Sequence, residues 1–421
     1  MTRPGLRQHY SAAVAYARST TASLTGRRWI VAGVVLVGAA ILLFRRWEAV
    51  QQPFLWAEDG AVFVQQAIAP GSDIFAEYNG QLWVIQRALV VFADVLGLST
   101  LPKVLLLSSL VVTLLGLSVL LQSRLQSLFG GLAYQVLAFW LLLLLPGAWE
   151  SLGTVLSLHW WLVFSAAAVL LAPGARSRTG TVLELLWLVL LGLSGLVSWI
   201  VLPIAIGAVI VRRDAAAVIR ALVVVATAAV QFAVLLSSAR EPAESAGLVD
   251  MVRIIALRVG GVALLGESWL SDATRASTSV LVLALGAAYL IVVALVAVLG
   301  RRWPAIALAL SAALSVAIGL WGAAEPLALL TLPGGGRYFV PALGFAILIL
   351  VLGITARRAW IRAIGVIALA VSGFALVTSA VIANPRPPLD PDSWDAFVQC
   401  VDRGGECEVA IAPKGWRVTT S

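Results

Sequence analysis

The chain is poor in charge, cysteine and histidine. Of its 421 residues only 12% are charged while 61% are hydrophobic, and the mean hydropathy is +0.98. A soluble domain is about a quarter charged, so a chain this apolar has too little polar surface to face water. That excludes a globular cytosolic enzyme, a disordered chain and a collagen-like one. Two cysteines, Cys400 and Cys407, are too few for a disulfide-built secreted fold. The two histidines, His9 and His159, have no cysteine near them, which leaves no zinc-type spacing. The net charge of +8 is not a nucleic-acid signature, because the arginines flank apolar stretches and form no basic domain. No nucleic-acid partner is expected.

What the sequence does have is long apolar runs, at 29–44, 103–122, 128–146, 158–172, 181–194, 199–211, 219–237, 279–299, 304–322, 338–354 and 360–382. Eleven crossings at roughly 20 residues each use about 220 residues and leave room for sizeable loops. The expected fold is an all-α polytopic membrane protein with about eleven transmembrane helices. Arg45 and Arg46 follow the first run and no small-residue cleavage site is clear, so it reads as a membrane helix and not as a signal peptide. The stretch 181–211 is too long for one crossing. Ser194-Gly195 and Ser198-Trp199 interrupt it, and Arg176, Arg178, Arg212 and Arg213 bracket it. Two short helices would put all four arginines on one side.

An N-in, C-out arrangement places those arginines, with Arg124, Arg301, Arg302, Arg357 and Arg358, in short cytoplasmic loops whose acids are Glu184 and Asp214. The expected layout is a cytoplasmic tail over 1–28, a transmembrane core over 29–383, and a short external tail over 384–421. Long external loops fall at 45–102 and 238–277. Long loops on one face point to work done on that face, and no internal repeat suggests a carrier. Leu248–Leu265 has apolar residues on a helical period with Asp250, Arg253 and Arg258 between them, as a helix lying in the interface would. Ala61–Ala69 and Leu82–Leu96 read similarly. In the tail, after Pro385, Pro387, Pro388 and Pro391, Cys400 and Cys407 suit a small disulfide loop in an oxidising compartment. Two free thiols are the plainer alternative.

Chemistry-bearing residues collect in the external segments. Glu58 and Asp59 sit side by side between aromatic residues. Neighbouring carboxylates in a semi-apolar setting repel, which suits a proton acceptor or a cation site; a solvated Asp-Gly turn is the plainer reading. Arg87 stands in an otherwise apolar stretch and needs an anion, either a phosphate or Glu58, Asp59 or Asp94. Glu150 follows Trp149, and His159 precedes Trp160 and Trp161 at a helix mouth. His159 could meet a phosphate or a sugar hydroxyl, or be a hydrogen-bonded structural residue. Pro333-Gly334-Gly335-Gly336-Arg337-Tyr338 puts three glycines and an arginine at a helix start, which suits phosphate or a simple helix cap. The Gly-Lys-Ser/Thr of a nucleotide loop is absent. A reaction on this face therefore calls for an activated donor that is itself in the membrane.

The acidic pair Glu58-Asp59 after the first helix, the Ser157-x-His159-Trp160 element and the Arg337-Tyr338-x-x-Pro341 element resemble the GT-C superfamily of polyprenyl-phosphate-sugar-dependent membrane glycosyltransferases. The likeness covers most of the chain in layout. It implies an inverting glycosyltransferase of the bacterial plasma membrane that moves a hexose or pentose from a polyprenyl-phosphate donor to a glycan or lipid acceptor. The active site would face outside, and membrane lipid would surround the protein. A carboxylate of the first loop would be the catalytic base, Asp59 ahead of Glu58. Arg337, Arg87 and His159 would meet the donor phosphate, and Tyr338, Trp160 and Glu150 the substrate. No cofactor is fixed. Some members use a divalent cation, magnesium or manganese, for which Glu58 and Asp59 are the available ligands. The chain departs from the pattern in lacking a large soluble C-terminal domain and a His-rich or Asp-x-Asp site. A lipid-linked-sugar transporter and a non-catalytic envelope assembly protein are the alternatives.

Overall fold

A computed structural model describes residues 6–69, 73–238, 246–272, 280–300, 302–323, 325–332, 334–381 and 387–420. Parts of the two long loops (70–72, 239–245 and 273–279), Arg301, Pro333, Pro385 and the side chains of residues 1–25 lie outside that description.

Each apolar run falls largely on helix. Seven helices are long and apolar enough to cross a membrane, and an eighth joins them if Ser123–Phe129 and Leu132–Leu143 form one span bent by 92°. The chain is thus a multi-pass membrane protein. The bend sits at Gly130 and Gly131, whose φ values of +80° and +145° suit glycine. Leu158–Leu171 and Val197–Arg212 are shorter apolar helices, and Arg178–Gly192 has 15 residues. The break expected within 181–211 is there, at Leu193–Leu196, with Gly195 at φ +85°.

Two helices form the centre. Leu158–Leu171 is buried along its whole length, and Val340–Ile354 along nearly all of its own. Membrane helices gain little from apolar burial against lipid, so close packing must hold them. Gly344 meets that need: a Cβ there would stand 2.2 Å from Phe164. Forcing in a larger residue typically costs about 1–3 kcal/mol.

The connections gather at two ends. At one end, Arg124 and Arg220 both pair with Glu184. There Arg212 bridges Asp214 at 3.0 Å and donates to the Ala172 carbonyl at 2.6 Å, while Arg302 donates to Thr355 at 2.8 Å. These guanidiniums satisfy carbonyls left open at helix C-termini. The opposite end carries the two long loops, the connection between Leu143 and Leu158, the glycine turn before Arg337, and the tail.

Leu248–Leu265 is not one interfacial helix. Its first part, Leu248–Ile255, leaves Leu248, Val249 and Val252 exposed. The following π-helical turn, Ala256–Gly261, is wholly buried against Val280–Leu299. The reason is a glycine crossing: a Cβ on Gly260 would lie 2.1 Å from the Gly286 carbonyl oxygen.

The tail is no loose appendage. Asp390 caps helix Pro391–Asp402 by accepting the Ser393 N–H at 3.1 Å. Strands Glu408–Ile411 and Trp416–Thr419 pair antiparallel, and Cys400 and Cys407 form the expected disulfide. Trp394, Phe397, Ile411 and Val418 share a small core with Leu55 and Phe63 of the first long loop.

Candidate active site

The first long loop enters the site through a strained turn. Ala57 has φ +43°, unusual for a residue with a side chain. The tail holds it there: Ala57 N–H donates to the Ala412 carbonyl at 2.5 Å, and Ala412 N–H to the Leu55 carbonyl at 3.2 Å. Gly60 allows the approach, since a Cβ there would stand 2.5 Å from Ile411 Cδ1. The next residues wind into the π-helical turn Asp59–Val64, and this rotation sends the two adjacent acids different ways.

Asp59 is 4% exposed. One carboxylate oxygen accepts the Leu156 N–H at 2.7 Å and the other the Val155 N–H at 3.2 Å. It anchors the buried connection before His159. Glu58 instead lines a cavity that it shares with Tyr78, Trp160, Arg337 and Tyr338. Its Oε1 lies 3.4 Å from Arg337 Nη2, and its Oε2 is buried with no hydrogen-bond partner among the described residues. Of the two acids expected as a base, Glu58 lines the cavity and Asp59 does not, and it is Glu58 Oε2 that lacks a hydrogen-bond partner among the described residues.

Arg337 sits between two carboxylates. Its Nε is 3.7 Å from Glu150 Oε1, its main-chain N–H donates to Glu150 Oε2 at 3.3 Å, and its guanidinium lies 5.2 Å from the Tyr338 ring centre. Gly335 at φ +74° makes the turn that delivers it. Glu150 is buried and reaches Arg337 but does not line the cavity.

The wall is aromatic. Trp160 meets Tyr338 edge-on at 6.0 Å and His159 at 4.2 Å; Trp83 meets His159 edge-on at 4.9 Å. His159 is 4% exposed and its Nδ1 bonds the Leu156 carbonyl at 2.9 Å. Its ring lines the cavity but is first of all a packed, hydrogen-bonded residue. Gly195 must be glycine beside it, since a Cβ would come within 2.9 Å of the ring.

Sequence reasoning missed one wall. Glu77–Tyr78 pairs with Gln81–Leu82 across Asn79 (φ +53°) and Gly80 (φ +73°), a tight hairpin turn. The Asn-Gly pair was the signal that marks it. Gln231 staples the hairpin to the helix break: its Oε1 accepts the Leu82 N–H at 2.9 Å, and its Nε2 donates to the Gly195 carbonyl at 3.0 Å. The hairpin thereby presents Tyr78, Asn79, Gln81 and Trp83 to the cavity. Gln81 is 7% exposed and its Oε1 has no partner among the described residues. Burial and the nearby Glu58 charge push the Tyr78 phenol up to about 12, so it stays an O–H donor at neutral pH.

Arg87 is not in this cavity. It is 5% exposed, donates to Gln66 and to the Glu77 carbonyl at 3.4 Å, and lies over the Phe63 ring at 5.4 Å. Burial lowers its pKa, while the charges of Asp73 and Glu77 oppose the shift. It ties the hairpin to helix Gln65–Ile68 and takes none of the three acids expected as partners. Among the described residues, no group of three or more His, Cys, Asp or Glu is placed to hold a metal ion.

No protein-family model matches the chain, and no curated protein matches it. The fold is similar to the crystal structure of ArnT from Cupriavidus metallidurans bound to undecaprenyl phosphate, with a TM-score of 0.44 and 16% identity over 90% of this chain and 69% of that one. A likeness this distant carries no argument about function.

Proposed function

We propose that the protein is an inverting glycosyltransferase of the bacterial plasma membrane, taking its sugar from a polyprenyl-phosphate donor on the outer face. The observation that carries the reading is the meeting of Glu58 and Arg337, from opposite ends of the sequence, in one aromatic-walled cavity inside a membrane bundle. Two buried acceptors, Glu58 Oε2 and Gln81 Oε1, have no hydrogen-bond partner among the described residues, and both side chains line the cavity with Tyr78, whose phenol keeps its O–H. Unmet acceptors with aromatic faces suit a polyhydroxylated ligand, whose hydroxyls donate and whose C–H faces pack on rings.

In the proposed reaction an acceptor hydroxyl oxygen bonds to the anomeric carbon as the bond from that carbon to the phosphate oxygen breaks. Glu58 Oε2 takes the hydroxyl proton. The departing polyprenyl phosphate gains negative charge, which Arg337 meets as a preorganised donor. The Glu58–Arg337 contact of 3.4 Å is long for a charge-assisted bond and parts readily for a substrate. Asp59 takes no proton and holds the wall that carries His159. The crowding of arginines at the opposite end supports an N-in arrangement, with the cavity outside.

The test is a radiolabel-transfer assay. Purified protein is offered a panel of polyprenyl-phosphate sugars with membrane extract as acceptor, alongside Glu58→Gln. Transfer by the parent and none by the variant supports the reading. No transfer from any donor while the lipid still binds would overturn it in favour of a carrier.

A further inference from the structure

We propose that Arg258, on the second long loop, is the positioning residue for Arg337. The assignment rests on the reading of Arg337 as the phosphate-binding group. Arg258 is 1% exposed and lines no part of the Glu58 cavity. Its donors go to the approach to Arg337. Nε donates to the Leu329 carbonyl at 2.5 Å. Nη2 donates to the Thr331 carbonyl at 2.7 Å and to the Gly334 carbonyl. Nη1 pairs with Glu267 Oε1 at 3.1 Å. One planar fork thus fixes three carbonyls of the segment 329–334, just before the glycine turn that delivers Arg337. A lysine, with one compact ammonium, cannot span them.

The clamp has a rigid base and a floor. Its base is the Gly260–Gly286 crossing, where a Cβ on Gly286 would lie 2.1 Å from the Ala256 carbonyl oxygen. That contact sinks the turn Ala256–Gly261 into the bundle and carries Arg258 with it. Its floor is Glu267, which lies under Gly336: a Cβ there would meet the Gly147 carbonyl oxygen at 2.6 Å and Glu267 Oε1 at 3.1 Å. The charge of Glu150 acts on both guanidiniums, Arg258 and Arg337. Arg258 therefore sets where Arg337 stands without touching what Arg337 binds.

The experiment compares the parent with Arg258→Lys and Arg258→Met by two readouts. Amide hydrogen exchange is read over 329–337, with Leu158–Leu171 as an internal control. Affinity is read with undecaprenyl phosphate alone as probe, and donor KM and kcat are taken where transfer is seen. In both variants, exchange over 329–337 should speed up by about tenfold or more while the control helix keeps its protection. Phosphate affinity should fall by about tenfold, and donor KM should rise alongside a fall in kcat. A merely structural role would lower kcat through a smaller active fraction and leave KM alone. Unchanged exchange overturns the clamp, and faster exchange with unchanged affinity overturns its link to Arg337. A parent that does not bind the probe brings down the phosphate reading itself, an outcome distinct from failure in the variants alone.

Discussion

Asp59 accepts the main-chain N–H of Leu156 at 2.7 Å and that of Val155 at 3.2 Å, and through these two bonds an acid of the first long loop sets the wall on which His159 stands. Its neighbour Glu58 makes no such bond and faces the cavity. The two acids are therefore separable by experiment. In Asp59→Asn the amide keeps one acceptor and turns an N–H2 towards a main-chain N–H. Leaving one buried donor unmet costs about 1–3 kcal/mol, so thermal unfolding in detergent should shift downward. Glu58→Gln should unfold like the parent and lose transfer. The reverse pattern, a stable and inactive Asp59→Asn beside an active Glu58→Gln, would restore Asp59 as the base.

Arg337 bridges Glu58 and Glu150 with a planar group. Arg337→Lys keeps the charge and loses the bridge. Donor kcat/KM should fall by about tenfold or more, with kcat lowered as well as KM raised. Steady-state kinetics over a range of donor concentrations checks this.

Burial raises the Glu267 carboxyl to about 8, against the pull of Arg258; the charge of Glu150 pushes the same way as burial, and a bond from Trp149 opposes it. A carboxyl raised in the folded state binds its proton more tightly there than in the unfolded chain. Its contribution to stability is present at acid pH and is lost as pH rises towards 8. Thermal unfolding scanned from pH 5 to pH 9 should show stability falling through that window in the parent. Glu267→Gln should flatten the profile, and an equal slope in both proteins would remove Glu267 as its source.

Gly60 lets the tail close on the first loop, with Ile411 Cδ1 only 2.5 Å from where a Cβ would stand. Gly60→Val should loosen the tail and cost about 1–3 kcal/mol. Limited proteolysis should then cut between Pro387 and Thr420 before it cuts the bundle. Transfer should fall together with tail protection.

Most of the bundle was legible because apolar length is a one-dimensional signal. The runs and the 181–211 break needed only hydropathy, a Ser-Gly pair and flanking arginines. Glu58, Arg337 and Trp160 were legible as types, since a carboxylate, a guanidinium and a large ring in a greasy chain demand partners. Which of Glu58 and Asp59 faces the cavity was not, because it turns on a π-helical winding that no periodicity marks. Arg87 misled for a related reason: a buried arginine needs acceptors, but Gln66 and a carbonyl serve as well as an anion. The Arg258 clamp was hidden because its partners are carbonyls, which every residue has.

The tail's grip on the first long loop also bears on how the protein matures. Leu389 bonds to Pro53, and Ala412 brackets Ala57. The turn that aims Glu58 is thus secured by residues synthesised nearly a whole chain later. During insertion the bundle can assemble helix by helix while this turn waits unfinished. The bonds that hold the turn aiming Glu58 therefore come from the last-made part of the sequence.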